Sequence, residues 1–358
     1  MYAVNTRVRG AFARYLPASI LCAALFVLVS CGGGSESSSS GEESTEAGNT
    51  AEETSETTEE TTDETSGETA SSTRPYTAIA GSGESGGGSP DEVLVDGAED
   101  FSDGLLKENR LVAYYGNPRE GAMGVLGETD PETMMQNLKE QTAAYSAADP
   151  GRPAVPTIEL IASTAQREPG EDGTYINRLP AEEIEEYATL AEENGALLLL
   201  DVQLGRSTVA NEIETLRPFL ERPYAHLAID TEYYVREGEI PGVDLGGVDG
   251  AEIQGAVEAL SQLVEEAGIP DKILLIHQFE SGIVTDKQLI EPTENVQVVL
   301  NADGFGLAEE KTTKYDLLVG EVPIQYGGFK LFYRQDEPLL SPEQVLELDP
   351  APVVINYQ

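Results

Sequence analysis

The sequence has 358 residues, two cysteines, no tryptophan and a formal net charge of −44, from 65 acidic and 21 basic residues. A chain this acidic excludes binding to nucleic acid, or to an anionic membrane face, through charge. Two cysteines also exclude a disulfide-stapled scaffold, so a hydrophobic core must hold the folded part together. Adaptation to salt or acid explains the acidity as well as a functional role does.

The first 31 residues have the order of a secretory signal. Three arginines precede an apolar run at residues 20–29, which Ser30 and Cys31 follow. The run has about ten residues, whereas a membrane-spanning helix needs about twenty. A cleaved signal peptide is therefore favoured over a transmembrane anchor.

Leu28-Val29-Ser30-Cys31 resembles the lipobox of bacterial lipoproteins. The resemblance implies that Cys31 becomes the acylated N-terminus after cleavage, with the lipid bilayer as its partner. The protein is then expected on the extracytoplasmic face of the cell membrane, held by a lipid anchor. The alternative is a freely secreted protein with one spare thiol.

Residues 32–104 are built almost entirely of Gly, Ser, Thr and Glu. Such a segment buries too little apolar surface to offset the entropy of ordering, so we expect a disordered linker. Its acidic residues repel one another and favour an extended chain that holds the next domain away from the membrane. The folded domain is therefore expected at residues 105–358.

Residues 105–358 alternate short apolar runs with amphipathic segments, which is typical of βα units around a parallel sheet. Eight runs are predicted strands: 110–115, 155–162, 196–202, 226–230, 272–277, 296–300, 328–333 and 352–357. Seven segments are predicted helices: 130–145, 180–194, 207–220, 249–267, a short one near 286, 309–318 and 341–348. Asp130 and Ser341 each precede a Pro, as residues at helix starts often do.

Eight such units in about 250 residues match a (β/α)8 barrel, the TIM-type fold of the α/β class. The sequence runs only just past the eighth predicted strand, so we expect residues 91–109 to cover the place of an eighth helix. The alternative is an open, doubly wound sheet, whose first βα turn is usually rich in glycine. Tyr115-Gly116-Asn117-Pro118 does not fit that turn.

In a barrel of this kind, chemistry takes place at the C-terminal ends of the strands. Those ends are polar in this sequence, and residues two apart on one strand project to the same side. The candidate substrate-binding residues are Tyr114, Tyr115, Asn117, Glu159, Asp201, Gln203, His277, Gln278, Asp303, Lys330 and Asn356. Polar strand ends also occur without a pocket, because Asp can cap the next helix. Because all eight predicted strands carry polar residues at this end, we favour a pocket for a polysaccharide or another polar ligand.

Asp230 and Glu232 end the fourth predicted strand, two residues apart. Two nearby carboxyl groups suit glycoside cleavage, in which one donates a proton and the other acts as nucleophile, base or charge stabiliser. Mutual repulsion raises one pKa and keeps the donor protonated near neutral pH. We therefore predict Glu232, the outer residue, as the donor and Asp230 as its partner.

Ile229-Asp230-Thr231-Glu232 resembles the Asp-x-Glu signature of barrel glycosidases, particularly the family 25 lysozymes and more loosely the chitinases. The resemblance covers this strand and the shared architecture, and it implies Glu232 as the acid and Asp230 as its partner. On the first strand, where those lysozymes have an Asp, this chain has Tyr115-Gly116-Asn117. The region also resembles uncharacterised bacterial lipoproteins, which implies no activity.

The sequence offers little support for a metal or cofactor site. Its two histidines, His226 and His277, form no His-x-His or His-Glu-x-x-His motif, so we predict neither a zinc site nor a cofactor. A Mg²⁺ or Ca²⁺ site made only of carboxylates stays as an alternative. Its candidate ligands are Glu159, Asp201, Asp230, Glu232 and Asp303.

Two functions from different classes fit these observations. The first is a surface-anchored hydrolase of a cell-wall or extracellular polysaccharide that uses Glu232 and Asp230. The second is a non-catalytic surface lipoprotein whose barrel binds a saccharide or another polar ligand. Both predict a monomer, and in both the long loop at 236–248 is a candidate wall or lid of the pocket.

Overall fold

Strands and helices alternate along the chain from residue 110 onward. The structure, a computed structural model, describes residues 74–81 and 93–358. The predicted signal peptide, Cys31 and most of the predicted linker lie outside the described residues. Residues 71–358 form one compact unit.

Eight parallel strands form a closed barrel, as predicted. They are β1 Arg110–Gly116, β2 Ala154–Ala165, β3 Leu197–Gln203, β4 Ala225–Asp230, β5 Lys272–Gln278, β6 Val296–Ala302, β7 Tyr326–Leu331 and β8 Val354–Tyr357. Each strand pairs with the next one in the sequence, and β1 pairs with both β2 and β8, which closes the sheet. The (β/α)8 fold is confirmed, and the open doubly wound sheet is excluded.

Helices connect most of the strands. They are α1 Pro131–Ala148, α2 Ala181–Glu193, α3 Val209–Leu220, α4 Gly250–Ala267, α5 Ala308–Gly320 and α6 Pro342–Leu346. The connection from β5 to β6, which the structure describes in full, contains no α-helix; it has the short strand Val284–Thr285 and the 3₁₀ turn Lys287–Leu289, close to the predicted short helix. Asp130 caps α1, and Ser341 forms a capping box with Gln344 at the start of α6. Among the described residues, no helix has the length and apolar character to cross a membrane.

The hydrophobic core lies in the barrel wall and under the helices. Strands of a parallel barrel are covered on both faces and therefore consist of nearly continuous apolar runs. The run Leu197–Leu200 on β3 is fully buried. Helix α4 buries Ile253, Val257 and Leu260 at helical spacing against the sheet. Charged side chains inside this apolar wall need a specific explanation.

The segment 93–109 lies against the N-terminal end of the barrel. The Leu106 N–H donates to Gln297 Oε1 on β6, at 3.1 Å. Asp100 accepts hydrogen bonds from the Tyr326 hydroxyl, at 2.6 Å, and from Gln297 Nε2, at 2.7 Å. We expected this segment to occupy the place of an eighth helix. Its contacts are instead with the first residues of β6 and β7, so it closes the bottom of the barrel.

The linker boundary predicted at residue 104 needs correction for the described residues before it. Val93 and Val95 are buried. The Ile79 N–H donates to the carbonyl of Ala154 at the start of β2, at 2.8 Å. These pieces contain too few apolar residues to show a helical or strand period, so composition alone assigned them to the linker.

Candidate functional site

Polar side chains from all eight strands meet at the C-terminal end of the barrel. They are Tyr115, Glu159, Asp201, Gln203, Asp230, His277, Asn301, Asp303, Lys330 and Asn356, which we call the mouth cluster. Neighbouring strands pair Gln203 with Asp230, Asp230 with His277, and His277 with Asn301. Paired positions project to the same face of a sheet, so these residues share the barrel interior.

His277 lies at the centre of the mouth cluster. Its Nε2 is 2.8 Å from Glu159 Oε1 and 3.9 Å from Asp201 Oδ1. Its Nδ1 is 3.1 Å from both Asp303 Oδ2 and Asn301 Nδ2. Because both ring nitrogens face polar partners, the imidazole has a fixed orientation and joins β2, β5 and β6.

Lys330 joins the two sides of the mouth cluster. Its Nζ donates to Asp303 Oδ2 at 3.0 Å and lies 3.5 Å from the centre of the Tyr115 ring. A cation over an aromatic face is attracted by the ring quadrupole. The Tyr115 hydroxyl in turn lies 3.5 Å from Asp201 Oδ2. The ammonium group therefore holds β7 against β1 and the end of β6.

Two amides orient two of the carboxyl groups. Gln203 Nε2 donates to Asp230 Oδ2 at 3.3 Å, while Gln203 Oε1 accepts from the Ala165 N–H at 3.0 Å. Asn356 Nδ2 donates to Glu159 Oε2. These hydrogen bonds limit the rotation of both carboxyl groups, so their lone pairs face fixed directions.

The predicted pair at the end of β4 has a different local geometry from the one expected. The strand ends at Asp230, and Thr231–Tyr233 forms a 3₁₀ turn. Asp230 and Glu232 therefore do not alternate along one strand. The Thr231 hydroxyl donates to the carbonyl of His277 at 2.7 Å, which fixes the turn against β5.

Glu232 nevertheless stays at the rim of the mouth cluster. Its side chain is partly buried and hydrogen-bonds Tyr233, and its charge interacts with Asp303. The loop 236–248, predicted as a wall or lid, returns to this point, because the Gly246 N–H donates to the Glu232 carbonyl at 2.8 Å. A side chain at Gly246 would meet the Glu232 carbonyl, so the close approach requires glycine.

Burial raises the pKa of three carboxyl groups at this end of the barrel. For Asp201 burial is the main cause, opposed by His277, and the pKa rises well above its ordinary range. Burial, followed by the charge of Glu232, raises the pKa of Asp230 to about 7. Burial also raises the pKa of Glu232. These groups keep their protons to a higher pH than free carboxyl groups do.

The pKa shifts of His277, Lys330 and Asp303 instead favour the charged form of each group. Burial and Lys330 lower the pKa of His277, but Glu159 and the hydrogen bonds to Asp303 and Glu159 outweigh them and raise it to about 10. Burial lowers the pKa of Lys330, and the charge of Asp303 more than restores it. Burial raises the pKa of Asp303, yet Lys330 and His277 bring it far below its ordinary value. Asp303 is therefore an anion between two cations.

Three side-chain oxygens of the mouth cluster are buried without a hydrogen-bond partner. They are Asp201 Oδ1, Asn301 Oδ1 and Asn356 Oδ1. Buried polar atoms are normally paired, and an unpaired one costs about 1–3 kcal/mol. Unmet acceptors on three strands at one end of the barrel indicate a cation or a hydrogen-bond donor as ligand.

Three predicted binding residues lie outside the mouth cluster. The Tyr114 hydroxyl is 3.1 Å from that of Tyr333, and Gln278 Nε2 donates to the Leu318 carbonyl of α5 at 2.9 Å. Both side chains point outward, because their neighbours Tyr115 and His277 point inward. Asn117 hydrogen-bonds the end of β2 and orders the loop after β1.

The spacing of Asn301 and Asp303 and the aromatic ring of Tyr233 were recognised in the sequence, but neither Asn301 nor Tyr233 was among the selected candidate binding residues. Asn301 is buried and contacts His277. Its position two residues before Asp303 on one strand was the available signal, because such residues share a face. Tyr233 is placed beside Glu232 by the 3₁₀ turn, which no residue pattern announced.

Access to the mouth cluster is limited. Two cavities lie elsewhere: one of 750 Å³ is lined by residues after β6 and β7, and one of 380 Å³ lies beside Phe101 and Gln325. In the mouth cluster the Asp303 side chain is 14% exposed, and Glu232 at the rim is partly buried. A ligand would therefore meet these two carboxyl groups first.

The chain matches no model of a known protein family. A search of curated proteins gives no significant match either. The barrel alone does not indicate a reaction, because many unrelated activities share this fold.

Proposed function

We propose that this protein is a lipid-anchored glycoside hydrolase that cleaves a cell-wall or other extracellular polysaccharide at the mouth cluster. The observation that carries the proposal is the pair of carboxyl groups at the end of β4, buried Asp230 and partly buried Glu232, whose pKa values are both raised by burial. Acid-catalysed glycoside cleavage needs such a pair in a poorly hydrated site. The lipobox at Cys31 supports an extracytoplasmic location.

Glu232 is the proton donor in this proposal. Its position at the rim allows the carboxyl group to reach the glycosidic oxygen of a bound ligand, and burial raises its pKa, so it keeps its proton to a higher pH than a free glutamic acid does. Proton transfer to that oxygen accompanies cleavage of the bond to the leaving sugar; water then adds to the remaining sugar cation, and its released proton returns to Glu232. Asp303, which is ion-paired with Lys330, supplies negative charge that stabilises the oxocarbenium-like transition state, and Asp230, which lies deeper, adds negative charge as the pH rises above about 7.

The rest of the mouth cluster suits the recognition of sugar hydroxyl groups. The amides of Gln203 and Asn356 and the hydroxyl of Tyr115 offer donors and acceptors. Tyr233 is partly exposed at the rim and offers a ring face for stacking. These groups support a polar, hydroxyl-rich substrate.

The test is a cleavage screen of the wild type and of Glu232→Gln against bacterial cell walls and common polysaccharides. Gln has the shape of Glu but no proton to donate, so the rate on the cleaved glycan is expected to fall by about 10²–10⁴-fold. Glu237→Gln, in the exposed loop after β4, is the matched control and is expected to keep the wild-type rate. Full activity of Glu232→Gln would contradict the donor role.

A second candidate is a non-catalytic lipoprotein that binds a saccharide or another polar ligand. It is favoured by the burial of Glu159 and His277, which hydrogen-bond each other and do not line an open cleft. Binding without cleavage predicts no product in the screen. A bound ligand would still raise the melting temperature, by an amount set by its concentration relative to Kd.

A further inference from the structure

Three fully buried side chains from three strands converge in the mouth cluster. Glu159 on β2, Asp201 on β3 and His277 on β5 each place one donor atom so that all three atoms lie within 4.8 Å of one another. We infer that these residues bind one divalent transition-metal ion. This site goes beyond the proposed hydrolysis, because Glu232 and Asp230 are not among its ligands.

The distances between the donor atoms fit a shared ion. Two ligands that each lie about 2.1 Å from a metal are about 3.0 Å apart at a right angle and about 4.2 Å apart when opposite. His277 Nε2 is 2.8 Å from Glu159 Oε1 and 3.9 Å from Asp201 Oδ1. Both separations lie close to this range, so the side chains need only small shifts to coordinate the ion.

Buried oxygen atoms without a hydrogen-bond partner indicate that this site can accept a cation. Asp201 is fully buried, and its Oδ1, the atom that faces His277 Nε2, has no hydrogen-bond partner. Asn356 hydrogen-bonds Glu159 and has a buried, unpaired Oδ1 as well, as does Asn301, which lies beside His277. Carboxylate and amide oxygens both coordinate divalent cations. An ion here would give the Asp201 oxygen its partner.

The imidazole is oriented as a metal ligand usually is. A histidine that coordinates through one ring nitrogen commonly hydrogen-bonds a carboxylate through the other, which fixes the ring and raises its basicity. His277 Nδ1 lies 3.1 Å from Asp303 Oδ2. Lys330 hydrogen-bonds the same Asp303 oxygen at 3.0 Å. The ammonium therefore balances the outer carboxylate, on the Nδ1 side of the ring.

The donor set selects the class of ion. Mg²⁺ and Ca²⁺ prefer sites made entirely of oxygen, whereas imidazole nitrogen suits first-row transition ions. One nitrogen with two carboxylate oxygens favours Mn²⁺, Fe²⁺ or Zn²⁺. The carboxylate-only cation site considered from the sequence is thereby replaced by a mixed site that includes His277.

The test uses the full chain stripped of metal and loaded with Mn²⁺, with Mg²⁺ as the competing ion. Because the chain carries a net charge of −44, surface carboxylates will also bind cations weakly, and stoichiometry alone is not diagnostic. Electron-spin-echo modulation of bound Mn²⁺ detects a coordinated imidazole nitrogen directly. The chain has only two histidines, so the signal can be assigned by substitution.

The expected result is one tightly bound Mn²⁺ per chain with nitrogen modulation that excess Mg²⁺ does not remove. His277→Gln should abolish the modulation and weaken Mn²⁺ binding at least about 100-fold, since loss of an outer partner alone costs about 10–100-fold. His226→Gln is the matched control. His226, the second residue of β4, is as buried as His277, and its Nδ1 accepts a hydrogen bond from the Ile273 N–H. The nitrogen modulation should persist in this variant.

The inference would be overturned if the wild-type protein gave no nitrogen modulation. It would also be overturned if His226→Gln lost the modulation while His277→Gln kept it. If His277→Gln does not fold, the wild-type and His226→Gln spectra decide the question on their own. Glu232→Gln is expected to bind Mn²⁺ like the wild type. Failure of the proposed hydrolysis and failure of the metal site are therefore observed separately.

Discussion

The two ends of the barrel both bury charged side chains, but their contacts differ. At the C-terminal end, Glu159, Asp201 and His277 approach one another across strands, and Asp201 Oδ1 has no partner. At the N-terminal end, Lys272 Nζ donates to the carbonyls of Arg222, before β4, and of Ala225, its first residue, at 2.7 and 2.8 Å. Gln297 likewise bonds the backbone of the segment that closes the barrel.

This difference distinguishes an end whose side chains support the backbone from the end at which we propose the functional site. Side chains that satisfy backbone groups hold loops and strands in place, so they contribute to stability. Carboxyl groups that crowd together at the other end raise each other's pKa and leave acceptors unmet, which costs stability and suits ligand binding. In TIM-type barrels, active sites lie at the C-terminal end.

Removal of the N-terminal closure has the largest expected effect on stability. A chain starting at residue 105 lacks buried Val93 and Val95 and the Asp100 carboxylate that accepts from Gln297. Each buried Val contributes about 1.5–3 kcal/mol and each hydrogen bond to a charged group about 1.5–3 kcal/mol. Relative to a chain starting at residue 71, the free energy of unfolding in urea is expected to fall on the order of 5 kcal/mol. Equal urea midpoints for the two chains would show that residues 93–104 are a passive linker.

Lys272 gives a smaller effect that depends on pH. Burial lowers the pKa of Lys272 to about 7, well below its value in the unfolded chain. Between pH 7 and 10 the unfolded state therefore binds more protons, and the free energy of unfolding rises with pH by at most about 1.4 kcal/mol per unit. Lys272→Met should lack this rise. Parallel pH profiles of wild type and variant between pH 7 and 9 would contradict the assignment.

The fold could be predicted from the sequence because its signals are long and repeated. Eight apolar runs alternate with helical segments, and caps such as Asp130 mark where helices begin. The segment at 93–104 was missed because Val93 and Val95 act through contacts with distant strands, not through a local period. The amino-acid composition of a short segment does not predict its tertiary contacts.

The meeting of polar side chains at the C-terminal end of the barrel was predicted, but their geometry was predicted only in part. The polar residues showed where the strands end. The direction of the Tyr114 and Gln278 side chains, into the barrel or out of it, depends on strand register, and a shift of one residue in register reverses that direction. The turn at Thr231–Tyr233 removes Glu232 from the strand, and it depends on a hydrogen bond to the carbonyl of His277. The approach of His277 to Glu159 joins residues far apart in sequence, so no motif announces it.

The last prediction tests the central claim that the mouth cluster lowers stability to support a reaction. Burial raises the pKa of Asp230 to about 7, so the folded state binds more protons than the unfolded state between about pH 4 and 7. The contribution of Asp230 to stability is therefore largest below pH 4 and is lost as the pH rises through 7. Asp230→Asn removes this pH-dependent loss of stability, and the Asn side chain keeps an oxygen that can accept the hydrogen bond from Gln203.

The direct measurement is the free energy of unfolding of wild type and Asp230→Asn at pH 4 and pH 7, with the cleavage rate determined on the same samples. We expect the variant to be more stable by roughly 2 kcal/mol at pH 7, to gain almost nothing at pH 4, and to cleave the glycan more slowly. A variant that is less stable than the wild type at pH 7, or one that keeps its full cleavage rate, would contradict the claim.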